Sequence, residues 1–238
     1  MEMQELSCSY AKEISTMYQE IYDSLYMLGS VYTSPKLDKY LKFICEEKIE
    51  TFLGFVGDDE LAAVAQYKKT DEYLYTNHIV VRPAYQGEGL ARKLLMRMFE
   101  IADAEGLEVR GDVNPASESV YAWYLKVGYL PVSETTVSIL KLDNQNPSPI
   151  KFEDEDKYTN FGISNSRLDN SDLEDLEFFS IAPNTLVLKT PIEAERVGKL
   201  CDAVNGHLII ETETLPEEYK SKSIHERGNI KLVRPPVK

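Results

Sequence analysis

The seven residues Tyr85-Gln86-Gly87-Glu88-Gly89-Leu90-Ala91 constrain the fold more than any other stretch of the chain. An apolar segment, Leu74 to Val81, leads up to them and is broken off by Arg82-Pro83. Behind them Leu90, Leu94, Leu95, Met98, Ile101 and Ala102 recur at helical spacing. The turn therefore joins a strand to a helix. Two glycines two residues apart at a helix start let the backbone curl tightly and aim successive N–H groups outward, where the positive end of the helix dipole also points. Such a turn suits a phosphate group. A Rossmann loop is excluded by the missing third glycine, and a Walker loop by the absence of a following Gly-Lys-Ser/Thr.

The longer string from Val80 to Leu95 resembles the acetyl-CoA signature of GCN5-related N-acetyltransferases (GNAT). That signature is Gln or Arg, Gly, any residue, Gly, any residue, then Gly or Ala, which Gln86 to Ala91 satisfy. A second run, Tyr121-Ala122-Trp123-Tyr124-Leu125-Lys126-Val127-Gly128-Tyr129, resembles the family's Tyr-x-Lys-x-Gly-Phe/Tyr ending. It follows a strand pattern, Leu107 to Val113, and lies mostly in a short helix pattern, Ser117 to Val127. The resemblance implies an α/β (α+β) GNAT fold, a mixed, mostly antiparallel sheet flanked by helices. Thr51 to Val56, Leu61 to Tyr67 and Tyr73 to Val81 then form a meander with a hairpin at Gly57-Asp58-Asp59-Glu60. The last of these strands would splay away from Leu107 to Val113, and the gap would take the pantetheine arm of acetyl-CoA. The backbone of Ile79, Val80 and Val81 would pair with that arm. Gln86, Gly87, Glu88, Gly89, Leu90, Ala91 and Arg92 would hold the pyrophosphate, with Asn114, Ser117 and Lys126 adding contacts. Ser117 stands where the family often carries asparagine.

Moving an acetyl group to an amine requires a neutral amine, a polarised thioester carbonyl and a proton for the departing thiolate. A lysine-like amine, with a reference pKa of about 10.4, is mostly protonated near pH 7, so a base or water path must act. The N–H groups of Ile79 to Val81 can polarise the carbonyl. The resemblance implies Tyr124 as the acid, with Tyr121 as its competitor one helical turn earlier. The base is open. Glu72 and His78 share a strand face by parity, although the bulge implied by the resemblance would break that count, and Asp112 is a further option.

The net charge of −14 repels nucleic-acid phosphates and attracts cationic amines, so an amine acceptor is expected and nucleic acid is not. Cys8, Cys45 and Cys201 are scattered, as are the three histidines, so neither a disulfide framework nor a metal site is expected. The N-terminus lacks a basic and apolar leader pattern, and no apolar run is of membrane-spanning length, which suggests a cytoplasmic protein.

Helices are expected over Ala11 to Leu28, stopped by Gly29, and from Ser34-Pro35 to about Glu47. Their tyrosines, Tyr18, Tyr22, Tyr26, Tyr32 and Tyr40, either line a substrate mouth or pack in the core. The polar run Asn144 to Pro149 marks a boundary, giving an acetyltransferase domain over 1–143 and an acidic linker with a small α/β domain over 144–238. Within the latter, Thr185 to Lys189 and His207 to Thr212 read as strands around a helix opened by a capping box at Thr190-Pro191-Ile192-Glu193. No second phosphate loop and no repeat of the first domain is visible. This region is expected to pack on the enzyme or to mediate dimerisation. The alternative to an enzyme is a non-catalytic acyl-CoA-binding or protein-interaction module acting through this acidic half.

Overall fold

The structure is a computed structural model, and it describes all residues except 23–31, 33, 58–59, 153–157, 159–160, 182–184 and 238. Two compact units form, the first from Met1–Asp23, Leu37–Ser133 and Ile230–Lys238, the second from Ser24–Lys36 and Glu134–Asn229.

In chain order the first unit contains β1 (Glu2–Glu5), α1 (Ala11–Ile21), α2 (Leu37–Glu46), β2 (Thr51–Val56), β3 (Leu61–Lys69), β4 (Tyr73–Val81), α3 (Leu90–Glu105), β5 (Glu108–Val113) and α4 (Glu118–Lys126). The strands lie side by side as β1-β2-β3-β4-β5, antiparallel except for β4 and β5, which run parallel on either side of the crossover helix α3. Strand β3 is buried along most of its length. Successive side chains of a strand point to opposite faces. Ala63, Ala65 and Tyr67 accordingly join the core under Leu90, Leu94, Leu95, Met98 and Phe99 of α3, while Gln66 accepts a hydrogen bond from the Tyr18 hydroxyl of α1 at 2.7 Å. Strand β5 has its outer edge covered by Ile230–Arg234 from the end of the chain, antiparallel, with Ile230 opposite Val113 and Arg234 opposite Val109. Arg234 fixes that segment. Its two terminal nitrogens donate to the two oxygens of Asp103 on α3, each at 2.9 Å, and its guanidinium lies 4.1 Å from the Phe99 ring centroid.

Helix α1 departs from its expected length. Tyr22 is already extended, so the helix ends at Ile21; the expected stop at Gly29 lies outside the described residues. Gly57 N–H donates to the Glu60 carbonyl at 2.8 Å, closing the β2–β3 hairpin around residues 58–59, which are also outside them. The expectation of unpaired thiols is corrected at two cysteines. Cys8 and Cys45 form a disulfide, because the turn before α1 packs on the last turn of α2 and brings their Cα atoms to 5.6 Å. Cys201 is free and buried.

The second unit contains part of β6 (Leu130–Leu142), then β7 (Ile150–Phe152), β8 (Ile163–Leu168), β9 (Phe178–Ile181), β10 (Thr185–Leu188), α5 (Ala194–Ala203), β11 (Gly206–Thr212), α6 (Glu217–Lys220) and part of β12 (Ser223–Arg234). Its strands lie in the order β7-β8-β9-β10-β11-β6, antiparallel apart from β10 and β11. Phe178, Leu186, Val197, Leu200, Leu208 and Ile210 make its core. Helix α5 starts at Ala194, and its N-cap Glu193 makes no side-chain cap bond, so the expected capping box does not form. Ile192 instead donates its N–H to the Glu211 carbonyl at 2.8 Å, holding the Pro191–Glu193 stretch extended.

The expectation that nothing in this region repeats the first also needs correction at the level of topology. Both units run through an antiparallel meander, a crossover helix, a parallel strand, a short helix and a closing strand, β2 to β6 in one half and β8 to β12 in the other. Within the second unit β6 lies beside β11, and within the first the end of β12 lies beside β5. A single cut after residue 143 therefore does not separate the two sheets.

Candidate active site

The site begins where β4 leaves β5. The two strands pair from Tyr73–Glu108 to Thr76–Gly111 and no further. At the same level β4 carries a bulge. Gln66 of β3 faces His78 and Tyr67 faces Thr76, which leaves Asn77 without an opposite residue. Beyond the bulge β4 continues on β3 as far as Val81. Its other edge, from Asn77 to Val81, has no strand beside it among the described residues. Four steps at about 3.3 Å per residue make roughly 13 Å of edge without a neighbouring strand.

At its far end this edge runs into the glycine loop. Gly87 and Gly89 take φ of 88° and 73°, a left-handed conformation open to glycine at little cost. Gly89 is the N-cap of α3, and the first bond inside that helix runs from Lys93 N–H to the Gly89 carbonyl at 3.1 Å. The N–H groups of Leu90, Ala91 and Arg92 therefore have no partner within the helix. A Cβ placed on either glycine would meet nothing within 4 Å, so the space in front of the loop is open. An anion of pyrophosphate size suits these donors and this space. Gln86 donates its side-chain amide to the Val81 carbonyl at 3.3 Å, tying the loop to the strand. Arg92 is exposed at its rim, whereas the Lys93 ammonium sits 5.8 Å over the Phe55 ring.

The apex of the fork is aromatic. Tyr124 on α4 is half-buried, with its ring edge-on to Tyr129 at 5.2 Å between centroids. Tyr129 is almost fully buried, and its hydroxyl lies 3.4 Å from Oγ1 of Thr76, the last β4 residue paired with β5. Burial pushes the Tyr129 hydroxyl well above the ordinary phenol range, so it stays protonated. Tyr124 is thus one ring removed from the fork. Tyr121 packs partly buried against the core cluster. Ser117 is the N-cap of α4, and Asn114 holds the turn that leads into it. Asn114 Oδ1 accepts from Ala116 N–H at 3.0 Å and its carbonyl from Ser117 N–H at 3.0 Å, while Ser117 makes no side-chain cap bond. Lys126 is exposed in the last turn of α4.

On the opposite face of β4 lies a polar group that sequence reasoning missed. Glu50, in the turn before β2, accepts on Oε2 from Gln66 Nε2 and, at 2.7 Å, from Asn77 Nδ2. Burial raises the Glu50 carboxyl above its usual range, opposed by these two bonds and by the Lys68 charge. No spacing pattern marks Glu50. In sequence it closes the run Glu46-Glu47-Lys48-Ile49-Glu50, which reads as solvated charge. His78 is wedged between two tyrosines, its Nδ1 2.9 Å from the Tyr22 hydroxyl and its ring 5.1 Å from that of Tyr18. Burial pulls its pKa down to about 3, so it is neutral near pH 7. Glu72 is not beside it. It is exposed in the turn leading into β4, with its N–H donated to Thr70 Oγ1, and the Asn77 bulge cancels the parity that grouped the two. Asp112, at the end of β5, accepts from the Tyr75 hydroxyl at 2.8 Å.

The acetyltransferase (GNAT) family model matches residues 14–129, the stretch that holds the opened strand pair and the two-glycine helix start. Residues 14–129 belong to the GNAT acetyltransferases. The family uses acetyl-CoA, and residues 14–129 carry its acyl-CoA-dependent transferase domain. Solved structures share the fold over nearly the whole chain at low identity. A protein from Pyrococcus horikoshii assigned as an acetyltransferase aligns at 13% identity with a TM-score of 0.64, covering 99% of this chain and 89% of its own. One from Thermoplasma acidophilum, similarly assigned, aligns at 14% and 0.60, covering 99% and 100%. The Escherichia coli ribosomal-protein-S18-alanine N-acetyltransferase aligns at 13% and 0.51, covering 100% and 94%. No curated protein matches the chain. Among the described residues no helix is long and apolar enough to cross a membrane, and no group of three His, Cys, Asp or Glu is placed to hold a metal.

Proposed function

We propose that this GNAT protein transfers an acetyl group from acetyl-CoA to a primary amine by direct attack in a ternary complex. The observation that carries the reading is the fork. An open strand edge from Asn77 to Val81 connects an anion cradle at Gly87–Gly89 with an apex where Tyr129 meets Thr76 and Tyr124 packs edge-on against Tyr129. In this reading the backbone of Ile79, Val80 and Val81 pairs with the amides of the pantetheine arm, and the N–H groups of Gly87 to Arg92 hold the pyrophosphate. Backbone donors at the apex polarise the thioester carbonyl. Tyr124, a phenol of reference pKa about 10, protonates a departing thiolate of about 8.5 as it forms.

The acceptor in this reading is cationic, either a small polyamine or a protein lysine or N-terminus, because the chain carries a net charge of −14. The same charge disfavours nucleic acid. The second unit's turn from β10 to α5, Lys189-Thr190-Pro191-Ile192-Glu193, contains no glycine. We assign that unit a scaffolding or dimer-forming role and place the protein in the cytoplasm, where acetyl-CoA is made and used.

The test is release of CoA thiol from acetyl-CoA in the presence of a polyamine, a lysine peptide and a peptide with a free N-terminus. Turnover with at least one is expected. Acetyl-CoA binding without turnover on any of them would favour the non-catalytic acyl-CoA-binding module.

A further inference from the structure

We propose that Glu50 is the catalytic base, taking a proton from the acceptor ammonium at the apex of the fork. The assignment rests on the acetyl-transfer reading above and adds a residue outside both signature motifs. Its first support is position. Asn77, the bulged residue at which β4 parts from β5, donates directly to Glu50 Oε2 at 2.7 Å. A thioester whose arm lies along Asn77–Val81 ends at that residue. The carboxylate therefore stands beside the carbon to be attacked, on the sheet face opposite α3.

The second support is orientation. Gln66 is fully buried, and its Oε1 is held by the Tyr18 hydroxyl, so its Nε2 is left to face Glu50. Both amide donors fall on Oε2. Oε1 takes neither, and Glu50 as a whole is only partly buried. One oxygen is clamped and the other stands outside the clamp. Among the described residues the charge acting on it is Lys68 of β3, while Gln66 in turn meets the Tyr18 hydroxyl of α1 and lies opposite His78 of β4. The sequence-derived alternatives fit less well. Glu72 is exposed in the turn before β4, and His78, neutral to about pH 3, is too weak a base for an ammonium. The raised pKa of Glu50 moves its basicity toward the working range.

The proton balance is as follows. Glu50 accepts one proton from the ammonium, freeing the nitrogen lone pair. That pair forms the C–N bond as the carbonyl pair moves onto oxygen, then returns to expel the thiolate. Tyr124 donates its hydroxyl proton to the sulfur and is refilled by the second proton lost from the amide nitrogen. Glu50 releases its proton to solvent, so one acetyl-CoA and one ammonium yield the amide, CoA thiol and H⁺.

The test compares wild type, Glu50→Gln and Glu50→Asp on an amine that wild type acetylates, reading kcat/KM from pH 6 to 10 beside calorimetric acetyl-CoA affinity. We expect Glu50→Gln to lose roughly 10²- to 10⁴-fold in kcat/KM at pH 7, the range of general-base catalysis. The deficit should shrink as pH rises, because an increasing share of amine arrives already neutral. Acetyl-CoA affinity should change less than about twofold, and Glu50→Asp should restore part of the rate. A pH-independent deficit, a parallel loss of acetyl-CoA binding, or wild-type kinetics in Glu50→Gln would overturn the base role. Wild type inert toward every amine would refute the transfer reading, and the base with it, through a different observation.

Discussion

Gly89 separates two effects that a loop substitution usually mixes. Its φ of 73° is left-handed, and a Cβ there would meet nothing within 4 Å. Alanine should therefore cost backbone strain without a clash. That strain is about 1–2 kcal/mol, offset by roughly 0.4–1 kcal/mol from a stiffer unfolded chain, leaving a net loss near 1 kcal/mol for Gly89→Ala. Asparagine tolerates this region and should lose less. Cofactor affinity should follow a different order. The open space in front of the loop is where the pyrophosphate would sit, so Gly89→Asn, with the larger side chain, should bind acetyl-CoA more weakly than Gly89→Ala. Gly89→Glu, adding bulk and negative charge, should abolish binding. Urea denaturation with an unchanged m-value reads the first order, and calorimetry the second. Equal destabilisation by Ala and Asn would refute the strain argument. Full acetyl-CoA affinity in Gly89→Glu would refute the cradle.

Tyr124→Phe should lower turnover about 10²-fold or more while leaving acetyl-CoA affinity nearly unchanged, because the hydroxyl acts only as the thiolate departs; unchanged turnover would remove it from the acid role. Arg234→Met should cost about 2–3 kcal/mol in chemical denaturation, the range of a partly buried charge-assisted pair. Arg234 holds the Asp103 carboxyl below the usual range, so in wild type this contribution is complete above an unfolded value of about 3.9 and is lost as pH falls below it. The variant should lack that acid step. His78 has its folded pKa depressed to about 3 against about 6.5 unfolded. Stability should therefore decline as pH falls from 6.5 toward 3, by at most about 1.4 kcal/mol per pH unit. A His78→Phe variant showing the same slope would contradict this.

The glycine loop was legible because its chemistry is local. Two left-handed positions before an apolar helix can be read from six consecutive residues. The β2-β3-β4 meander followed from three β-rich runs in succession, while the place of β5 beside β4 came from the family resemblance. Glu50 was not legible, since its significance lies in Gln66 and Asn77, 16 and 27 residues away, and a carboxylate beside Lys48 reads as surface. The Cys8–Cys45 bridge closes over 37 residues with no motif spacing, so only the packing of α2 against the turn before α1 reveals it. The place of Ile230–Arg234 beside β5 depends on a pairing across more than a hundred residues. The repeated topology left no trace in residues, because sheets can share connectivity while every site-forming position differs. The β10–α5 turn, without a glycine, is the clearest instance.

The most direct measurement is a calorimetric titration of the purified chain with acetyl-CoA, beside CoA lacking the acetyl group. A fork that holds pyrophosphate at Gly87–Gly89 and the pantetheine arm along Asn77–Val81 predicts micromolar binding of both, at one molecule per chain. No detectable heat from a folded sample, or two molecules bound per chain, would contradict the account.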